Sequence, residues 1–473
     1  MLARLGTRIG AIFRATAPDP FVIAIVLTGV AFVASAGWLV GSEGLGPIGA
    51  ARRTVHLWEG GLWNLLRFGM QMCLILVTGH ALASAPVVAR GIRGVARFAV
   101  GRGGRGAVAV VSLVAMGAAL VNWGFGLIVG AILAREVTRT LREGGVGEGA
   151  VPAGLIAAAG YTGLLVWHGG LSGSAPLAAA SAAQQVELLG PELGRAVGAI
   201  GVRETILSGL NAVVTGGLVV LVPIGLMLMA PARGRTAGEP AAGEPGPGPV
   251  EAQAVTIDEA DAVGPIPRWL ERTPVVGWIV AVPAAVWLAG AFADRGFAAL
   301  DLNTANLAFF AVGLVLHGGA GSYARAVEEA ARGCAGIIVQ FPLYAGIMGM
   351  IGGSGLAAAI SAWMVGASGG GAGGLGVAKF ASAGLVNLFV PSGGGQWAIQ
   401  GPIGLAAAMD AGVDPARIVL AVSYGDQLTN MLQPFWALPL LAITGAKARE
   451  VVAYTAVVML AAGAWMAACL LIL

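Results

Sequence analysis

The chain of 473 residues is 57% hydrophobic and only 11% charged, and its mean hydropathy is +0.83. Soluble domains carry about 25% charged residues, so this composition excludes an ordinary soluble enzyme or binding domain. Uncharged runs recur from residue 20 to the C-terminus, and about 20 apolar residues cross a bilayer core of roughly 30 Å. Because strand-length alternation is absent from the sequence, we predict an all-α polytopic membrane protein.

Arginines surround the third apolar run, residues 106–134. Five precede it and three follow it: Arg90, Arg93, Arg97, Arg102, Arg105, Arg135, Arg139 and Arg142. Since Lys and Arg concentrate in cytoplasmic loops, both ends of this run are predicted to lie on the cytoplasmic side. One helix over the run would be roughly 43 Å long, too long for a simple crossing. The sequence NWGFG at Asn122–Gly126 interrupts the run, so we predict a re-entrant helical hairpin over residues 106–141.

The rest of the chain divides into two predicted halves around a hydrophilic segment rich in Pro, Gly and Ala. We predict a first transmembrane repeat over 1–230, a flexible cytoplasmic linker over 231–270, and a second half over 271–473. The second half begins with an extra span near 274–293 and contains a second hairpin over 379–412. In this topology the N-terminus is cytoplasmic, and the segments assigned to the inside hold 19 of the 27 Lys and Arg residues.

Similar patterns occur in the same order in both halves. FGMQMCLILVTG resembles IIVQFPLYAGIMG, and each is followed by an Asn-led, Gly-rich interruption, at Asn122 and at Asn387. Each half then has an apolar run broken in its middle, at residues 161–177 and 422–436, and closes with an uninterrupted span. The order predicts two inverted-topology repeats, each with a re-entrant hairpin and a discontinuous transmembrane helix.

The second interruption reads NLFVPSGGGQWAIQGP, residues 387–402. Pro391 is predicted to end the incoming helix, and a Gly-rich turn leads into an outgoing helix that begins at Gln396 or Trp397. Such a helix start presents N–H groups and a positive dipole end to a carboxylate, with Ser392, Gln396 and Gln400 as further donors. The alternative is that Gly393, Gly394 and Gly395 only allow close helix packing.

The two broken runs carry the ionisable candidates. Asp426, Gln427, Thr429 and Asn430 lie close together in an apolar context, where a carboxylate is costly and suggests a function. Asp426 could carry a proton or help to coordinate sodium, or it could only cap a helix. His168, the counterpart in the first half, could relay a proton or simply be a packed histidine. Cys73, Cys334 and Cys469 are interpreted as buried small hydrophobes.

Four segments together resemble the bacterial short-chain fatty acid transporter family: NWGFGLIVGA at 122–131, HGGLSGSAP at 168–176, VPSGGGQWAIQGP at 390–402 and YGDQLTNMLQP at 424–434. The resemblance extends over the chain apart from the linker. It places the protein in a wider superfamily of ion-coupled carboxylate transporters, which have inverted repeats and paired hairpins. Many of these move by an elevator mechanism as homodimers.

The resemblance implies uptake of small monocarboxylates such as butyrate or acetoacetate across the bacterial inner membrane. It implies a substrate site at the hairpin tips and helix breaks: Asn122, Trp123, Gly124, Ser172, Ser174, Ser392, Gly393, Gly394, Gly395, Gln396, Trp397, Gln400, Thr429 and Asn430. His168, Asp426 and Gln427 are the ion-coupling candidates, with Na+ and H+ both open. The predicted partners are a small carboxylate, the lipid bilayer and a second copy of the chain, without nucleic acid, cofactor or resident metal.

The residues agree with a single carboxylate as substrate. We find no intramembrane Arg or Lys to hold a dicarboxylate, and Trp123 and Trp397 could line a short acyl chain. A sodium/proton antiporter and a carboxylate channel are the alternatives. The sequence has no Walker A lysine, no HExxH and no GxSxG, so we predict that the protein is not an enzyme.

Overall fold

The computed structural model describes residues 18–143, 151–189, 191–231, 264–299, 301–369 and 371–473. Within these ranges the regular secondary structure is helical. Most of the predicted linker, residues 232–263, and the arginines before residue 18 lie outside the described residues. The last part of the predicted linker belongs to a short helix, Pro265–Arg272.

Eleven α-helices precede the linker in the described residues. They are α1 Pro20–Glu43, α2 Pro47–Leu62, α3 Leu66–Ser84, α4 Pro86–Gly101, α5 Gly103–Val121, α6 Trp123–Glu143, α7 Ala153–Tyr161, α8 Ser174–Ala179, α9 Ala182–Leu189, α10 Pro191–Val197 and α11 Gly209–Met229.

Eleven further α-helices follow in the described part of the second half. They are α12 Pro265–Arg272, α13 Pro274–Arg295, α14 Leu302–Leu316, α15 Ala320–Ala331, α16 Ala335–Gly353, α17 Leu356–Gly366, α18 Ala372–Asn387, α19 Gly393–Ala411, α20 Pro415–Thr429, α21 Pro434–Thr444 and α22 Ala448–Ile472.

Seven helical segments in the described residues are long and apolar enough to cross a membrane. They are Pro20–Glu43, Pro47–Ser84, Gly103–Val121, Gly209–Met229, Pro274–Arg295, Ala320–Gly353 and Ala448–Ile472. Their apolar composition and number confirm a helical multi-pass membrane protein. The starts of several helices have side-chain caps that satisfy orphan N–H groups, as at Asp19 and Asp414, each followed by proline.

The two predicted interruptions are sites where the chain turns back on itself. Helices α5 and α6 pack side by side, and Gly126 of α6 lies against Ala119 of α5. Helices α18 and α19 also run antiparallel, because Gln396 near the start of α19 bonds to Ala383 near the end of α18. We call these pairs the first and the second hairpin.

The turns differ in detail from the prediction. In the first hairpin only Asn122 leaves the helical conformation, with φ −154° and ψ 130°, and the glycines that follow it lie inside α6. In the second hairpin α18 ends at Asn387 and α19 begins at Gly393, three residues before the predicted start. Ser392 caps α19 by accepting a hydrogen bond from Gly395 N, which explains the early start.

Both predicted broken runs are broken in the structure. The first consists of α7, two 3-10 turns over Thr162–Leu165 and Trp167–Gly169, and α8; we call residues 162–173 the first break. The second consists of α20, a 3-10 turn over Asn430–Leu432, and α21; we call residues 430–433 the second break. Asp426 lies within α20, one turn before the second break.

The arginine-rich segment predicted as a cytoplasmic loop is largely helical. Helix α4 carries Arg90, Arg93 and Arg97, and its Val88, Ile92 and Val95 lie on the opposite face. This helix was not predicted, because its apolar residues recur at helical spacing but do not form one uninterrupted run. The cysteines at 73, 334 and 469 are free and buried, as predicted.

Candidate functional site

The tip of the first hairpin is anchored to the first break. Asn122 caps α6, because its Oδ1 accepts a hydrogen bond of 3.0 Å from Phe125 N. Trp123 N donates to Ser172 Oγ over 3.0 Å, and Leu171 N donates to Leu120 O over 2.7 Å. The first hairpin and the first break therefore form one continuous hydrogen-bonded unit.

The second hairpin is anchored to the second break through Asn387. Its Nδ2 lies within hydrogen-bond distance of three oxygens, Asp426 O at 2.7 Å, Thr429 Oγ1 at 3.0 Å and Asn430 Oδ1 at 2.9 Å, which share its two N–H donors. Gln433 Nε2 donates in turn to Asn387 O. Side-chain bonds to a helix end and to an unwound turn replace the backbone bonds that the break removes.

The two breaks contact each other directly. Tyr161 OH, just before the first break, lies 2.8 Å from Asn430 O and 3.2 Å from Gln433 O in the second. His168 N donates to Gln427 Oε1 over 3.1 Å. We call the region where both breaks and both hairpin tips meet the junction.

His168 and Asp426 form the ionisable pair of the junction. Their Nε2 and Oδ2 atoms lie 3.5 Å apart, and the two side chains are 1% and 3% exposed. This is an ion-pair distance without the alignment of a hydrogen bond, and both imidazole nitrogens have no hydrogen-bond partner among the described residues. The junction therefore places an imidazole and a carboxylate side by side in a buried position.

Trp167 lies between the two hairpin tips. Its ring centroid is 6.0 Å from that of Trp123 and 3.7 Å from that of His168. A Cβ at Gly393 would lie 3.0 Å from Trp167 Cη2 and 2.8 Å from His168 Nε2. Gly393 therefore allows the start of α19 to approach the first break more closely than any other residue type would.

An aromatic cluster borders the junction on the side of the first hairpin. Trp123 packs edge-on against Trp436 at 5.2 Å between centroids, and Phe435 stacks on Phe341 at 4.1 Å. Phe68 joins both parts of the cluster. These rings form an apolar wall beside the polar atoms of the breaks.

Several buried polar atoms at the junction have no hydrogen-bond partner among the described residues. They are Trp167 Nε1, His168 Nδ1 and Nε2, Asn387 Oδ1, Gln396 Oε1, Asp426 Oδ2, Gln427 Nε2, Asn430 Nδ2, Gln433 Oε1 and Trp436 Nε1. Buried polar atoms are normally paired, so a group of them needs an explanation. A polar ligand that reaches the junction would supply partners for several of them at once.

The predicted site residues fall into two groups. The structure brings Trp123, Ser172, His168, Gly393, Gln396, Asp426, Gln427, Thr429 and Asn430 together at the junction, with Asn122 and Ser392 as the caps of the two outgoing helices. Trp397 instead lies in a different apolar cluster, with Ala175 and Leu375. Gln400 points into the second hairpin and bonds to Ser382 and Lys379. Gly124, Gly394, Gly395 and Ser174 lie beside these residues in the chain, in the first turns of α6, α19 and α8.

Sequence reasoning missed four residues that the structure places in or near these contacts. Tyr161, Trp167 and Asn387 are polar or aromatic residues beside the predicted interruptions. This proximity is the feature of the sequence that could have indicated their place in the site. Lys379 bears on the expectation that no intramembrane Lys or Arg holds a dicarboxylate. It is the first residue of the predicted second hairpin, and the structure buries it fully in α18.

A large cavity of about 460 Å³ lies away from the junction, between α3, α4 and the first hairpin. Its lining is apolar and includes Leu82, Ile92, Phe125, Ile128 and Phe309. Because these side chains offer no donor to a carboxylate, the polar junction is the better candidate for a carboxylate site.

Comparison with known proteins gives the family. The model of the family described as "Short chain fatty acid transporter" matches residues 1–473. A protein of Escherichia coli (strain K12), named "Putative short-chain fatty acid transporter", is 38% identical over 455 residues, which cover 94% of each chain. A protein of Haemophilus influenzae with the same name is 36% identical over 439 residues, which cover 92% of each chain.

Two solved transporter structures align over nearly the whole chain, but at low similarity. Neisseria gonorrhoeae MtrF is 16% identical with a TM-score of 0.35, covering 96% of this chain and 95% of its own. The Alcanivorax borkumensis YdaH transporter is 15% identical with a TM-score of 0.43, covering 95% of this chain and 98% of its own. The family match and the two relatives are decisive: the protein is a membrane transport protein, not an enzyme, and it belongs to the short-chain fatty acid transporter family.

Proposed function

We propose that this protein is a secondary active transporter of short-chain monocarboxylates such as butyrate or acetoacetate, driven by a coupled ion. We place it in the bacterial inner membrane with its N-terminus in the cytoplasm. Family membership and the names of the two relatives support the substrate class. The observation that carries the proposal is the group of buried polar atoms without partners at the junction.

The proposed substrate lies across the junction. Its carboxylate faces the start of α19 at Gly393 and Gly394, where the first N–H groups of a helix have no intrahelical partner. Gln427 Nε2 and Asn430 Nδ2 are buried donors without partners among the described residues, and both belong to the second broken helix. Neutral donors and a helix end suit one negative charge, and the aromatic wall beside Trp123 suits a short acyl chain.

His168 and Asp426 are the proposed ion-coupling pair. Both are titratable and buried, and they lie 3.5 Å apart beside the proposed carboxylate site. A proton on this pair removes a negative charge next to the substrate, which favours binding of an anion. We therefore propose H+ as the coupling ion, while Na+ remains the alternative that the experiment below separates.

The proposed mechanism is alternating access of the elevator type in a homodimer. We propose two inverted repeats, over 1–230 and within 271–473, with the two hairpins re-entrant from opposite sides of the membrane. Arg102 and Arg105 at one end of the first hairpin and Arg139 and Arg142 at the other support a shared cytoplasmic side for both ends. The recurrence of a hairpin followed by a broken helix supports the repeat.

Butyrate counterflow in proteoliposomes tests the proposed function. Purified protein is reconstituted with unlabelled butyrate inside, and uptake of labelled butyrate is followed while sodium and pH gradients are imposed separately. We expect saturable counterflow, and net accumulation that an inward pH gradient drives and a sodium gradient does not. Accumulation driven only by sodium would replace H+ with Na+ as the coupling ion.

Two other outcomes would reject the proposed function. A butyrate flux that does not saturate with concentration and does not depend on the sodium or pH gradient would indicate a channel. Sodium and proton exchange without any carboxylate would indicate an antiporter. Asp426→Asn and His168→Gln are expected to keep counterflow and to lose accumulation driven by the pH gradient.

A further inference from the structure

Lys379 is a buried lysine that the proposed site does not use. Its side chain is fully buried in α18, eight residues before Asn387. At a rise of about 1.5 Å per residue it lies about 12 Å from the tip of the second hairpin. The ammonium therefore does not reach a carboxylate bound at Gly393.

Three oxygen atoms surround the ammonium. Lys379 Nζ lies 2.6 Å from Ser361 Oγ, 3.0 Å from Gln400 O and 3.0 Å from Gln400 Oε1. A lysine ammonium has three donors, so these contacts match its full donor capacity. They connect α17, α18 and α19 at one point, and Ser382 Oγ donates to the same Gln400 Oε1 over 2.7 Å.

Among the described residues, Lys379 is not paired with a carboxylate. The ion pairs among the described residues do not include Lys379. Arg417, which lies near α18 one turn away at Gly376, is another cation. Burying a charged ammonium is costly unless polar atoms replace its hydration shell, and here neutral oxygens alone do so.

The hairpin is shaped to admit the lysine stem. A Cβ at Gly404 of α19 would lie 2.9 Å from Lys379 Cε and 3.2 Å from Cδ. The absence of a side chain at Gly404 lets the stem cross the face of α19 to reach Ser361. The aliphatic stem of Lys379 thus passes Gly404 of α19, and its nitrogen reaches oxygens of α17 and α19.

We propose that Lys379 is a built-in monovalent cation, whose ammonium occupies an oxygen cage that must hold a positive charge to keep the second hairpin closed over the substrate. For its effect on transport this inference rests on the proposed function. Its chemical consequence is independent: when the side chain is shortened, the emptied cage binds a small free cation. Ammonium, ethylammonium and Na+ are suitable probes, and choline is too large to enter.

The experiment compares Lys379→Ala, Lys379→Met and Lys447→Met with the wild-type chain. Lys447, at the start of α22, is the only other lysine of the sequence, so its substitution is the matched control. Thermal unfolding in detergent and butyrate counterflow are measured in choline chloride, and then with each probe cation. Lys447→Met is expected to match the wild type in both assays.

In choline we expect both Lys379 variants to lose about tenfold in counterflow, since charge-assisted hydrogen bonds to three oxygens are gone. Ammonium, ethylammonium or Na+ should restore most of the activity of Lys379→Ala with a saturable dose response and raise its melting temperature. The same cations should not restore Lys379→Met, because its apolar chain fills the cage. Wild-type counterflow and melting temperature should not respond to ammonium or ethylammonium, the two probes that are independent of the coupling ion.

Three results would overturn the inference. The first is a Lys379→Met variant with the counterflow rate of the wild type. The second is a Lys379→Ala variant whose melting temperature and counterflow rise with no probe cation, and the third is failure to purify folded Lys379→Ala even in ammonium buffer. The melting temperatures separate this inference from the proposed function. If the wild type fails to transport butyrate, the proposed function falls, while cation-dependent stabilisation of Lys379→Ala still decides the role of the cage.

Discussion

The close approach of Gly393 to the first break gives a sharp prediction, because Gly394 beside it is a matched control. A Cβ at Gly393 would lie 2.8 Å from His168 Nε2, 3.0 Å from His168 Cε1 and 3.0 Å from Trp167 Cη2, whereas one at Gly394 meets nothing within 4 Å. Neither glycine has a positive φ, so alanine suits the backbone at both positions. Only Gly393→Ala therefore disturbs the junction.

The size of the effect follows from this geometry. The start of α19 must move by about 0.6 Å to restore an ordinary contact of 3.4 Å with His168. Overpacking of this kind costs about 1–3 kcal/mol. If the closed tip is the form that binds substrate, the half-saturation concentration for butyrate rises by the equivalent factor of about 5 to 150.

The assay is butyrate counterflow over a range of substrate concentrations for both variants. Gly394→Ala keeps the backbone N–H that faces the proposed carboxylate, and its Cβ meets nothing within 4 Å. It should therefore keep the wild-type half-saturation concentration, and alanine in the first turn of α19 should not lower the melting temperature. A Gly393→Ala variant with wild-type half-saturation would refute the assigned contact between α19 and the first break. Equal impairment of both variants would show that the helix start, rather than the contact, is sensitive.

Three further substitutions test other parts of the junction. Asp426→Asn should abolish accumulation driven by a pH gradient yet keep counterflow, which separates coupling from binding. Asn387→Ala should lower stability by roughly 2–4 kcal/mol, since three oxygens lose their donor; melting temperatures compared with the exposed Asn64→Ala control measure this. Trp123→Ala removes one ring of the aromatic wall and leaves room for a longer acyl chain. Hexanoate should therefore compete with butyrate uptake more strongly in this variant than in the wild type. An unchanged ratio of the two inhibition constants would show that Trp123 does not line the acyl chain.

The places where helices break could be predicted because the residues that break them are visible in the sequence. Pro391 and the glycines after it mark the second hairpin, and the polar group from Asp426 to Gln433 marks the second break. The predicted positions of the helix starts were less accurate than the positions of the breaks. A serine cap at residue 392 gives α19 three more residues than the proline and glycine pattern indicated, since capping depends on one hydrogen bond and not on a run of residues.

The contacts between the halves could not be predicted. Tyr161 and Asn430 are separated by 269 residues, and His168 and Asp426 by 258, so no local pattern relates them. The position of Trp397 illustrates the same limit. It lies next to the Gly-rich turn in sequence, but helix α19 directs its ring into the apolar cluster with Ala175 and Leu375, whereas Trp123 packs against the main core.

Lys379 was missed for a different physical reason. The window around it, GVAKFASAG, has no second charge, and a lysine near a span end ordinarily extends to the membrane surface. Its partners Ser361 and Gln400 lie 18 and 21 residues away on neighbouring helices. The oxygen atoms around Lys379 come together only after the hairpin has folded. The sequence alone therefore suggests that Lys379 lies at the surface, whereas the structure buries it.

The bonds at the junction also indicate which part of it opens. The end of α18 is held to the second broken helix by the Asn387 amide, whose two N–H groups serve three oxygens, and the two breaks are joined through Tyr161. The start of α19 lies close to His168 and Trp167 at Gly393, but the ring nitrogens of these two residues have no hydrogen-bond partner among the described residues. We therefore expect the start of α19, rather than the end of α18, to move away from the first break when substrate enters or leaves.

Hydrogen exchange tests this expectation. The backbone amides of residues 393–395 should exchange faster than those of residues 384–387, and butyrate should slow exchange only at residues 393–395. Equal protection of both arms, with and without butyrate, would contradict a gate at the start of α19.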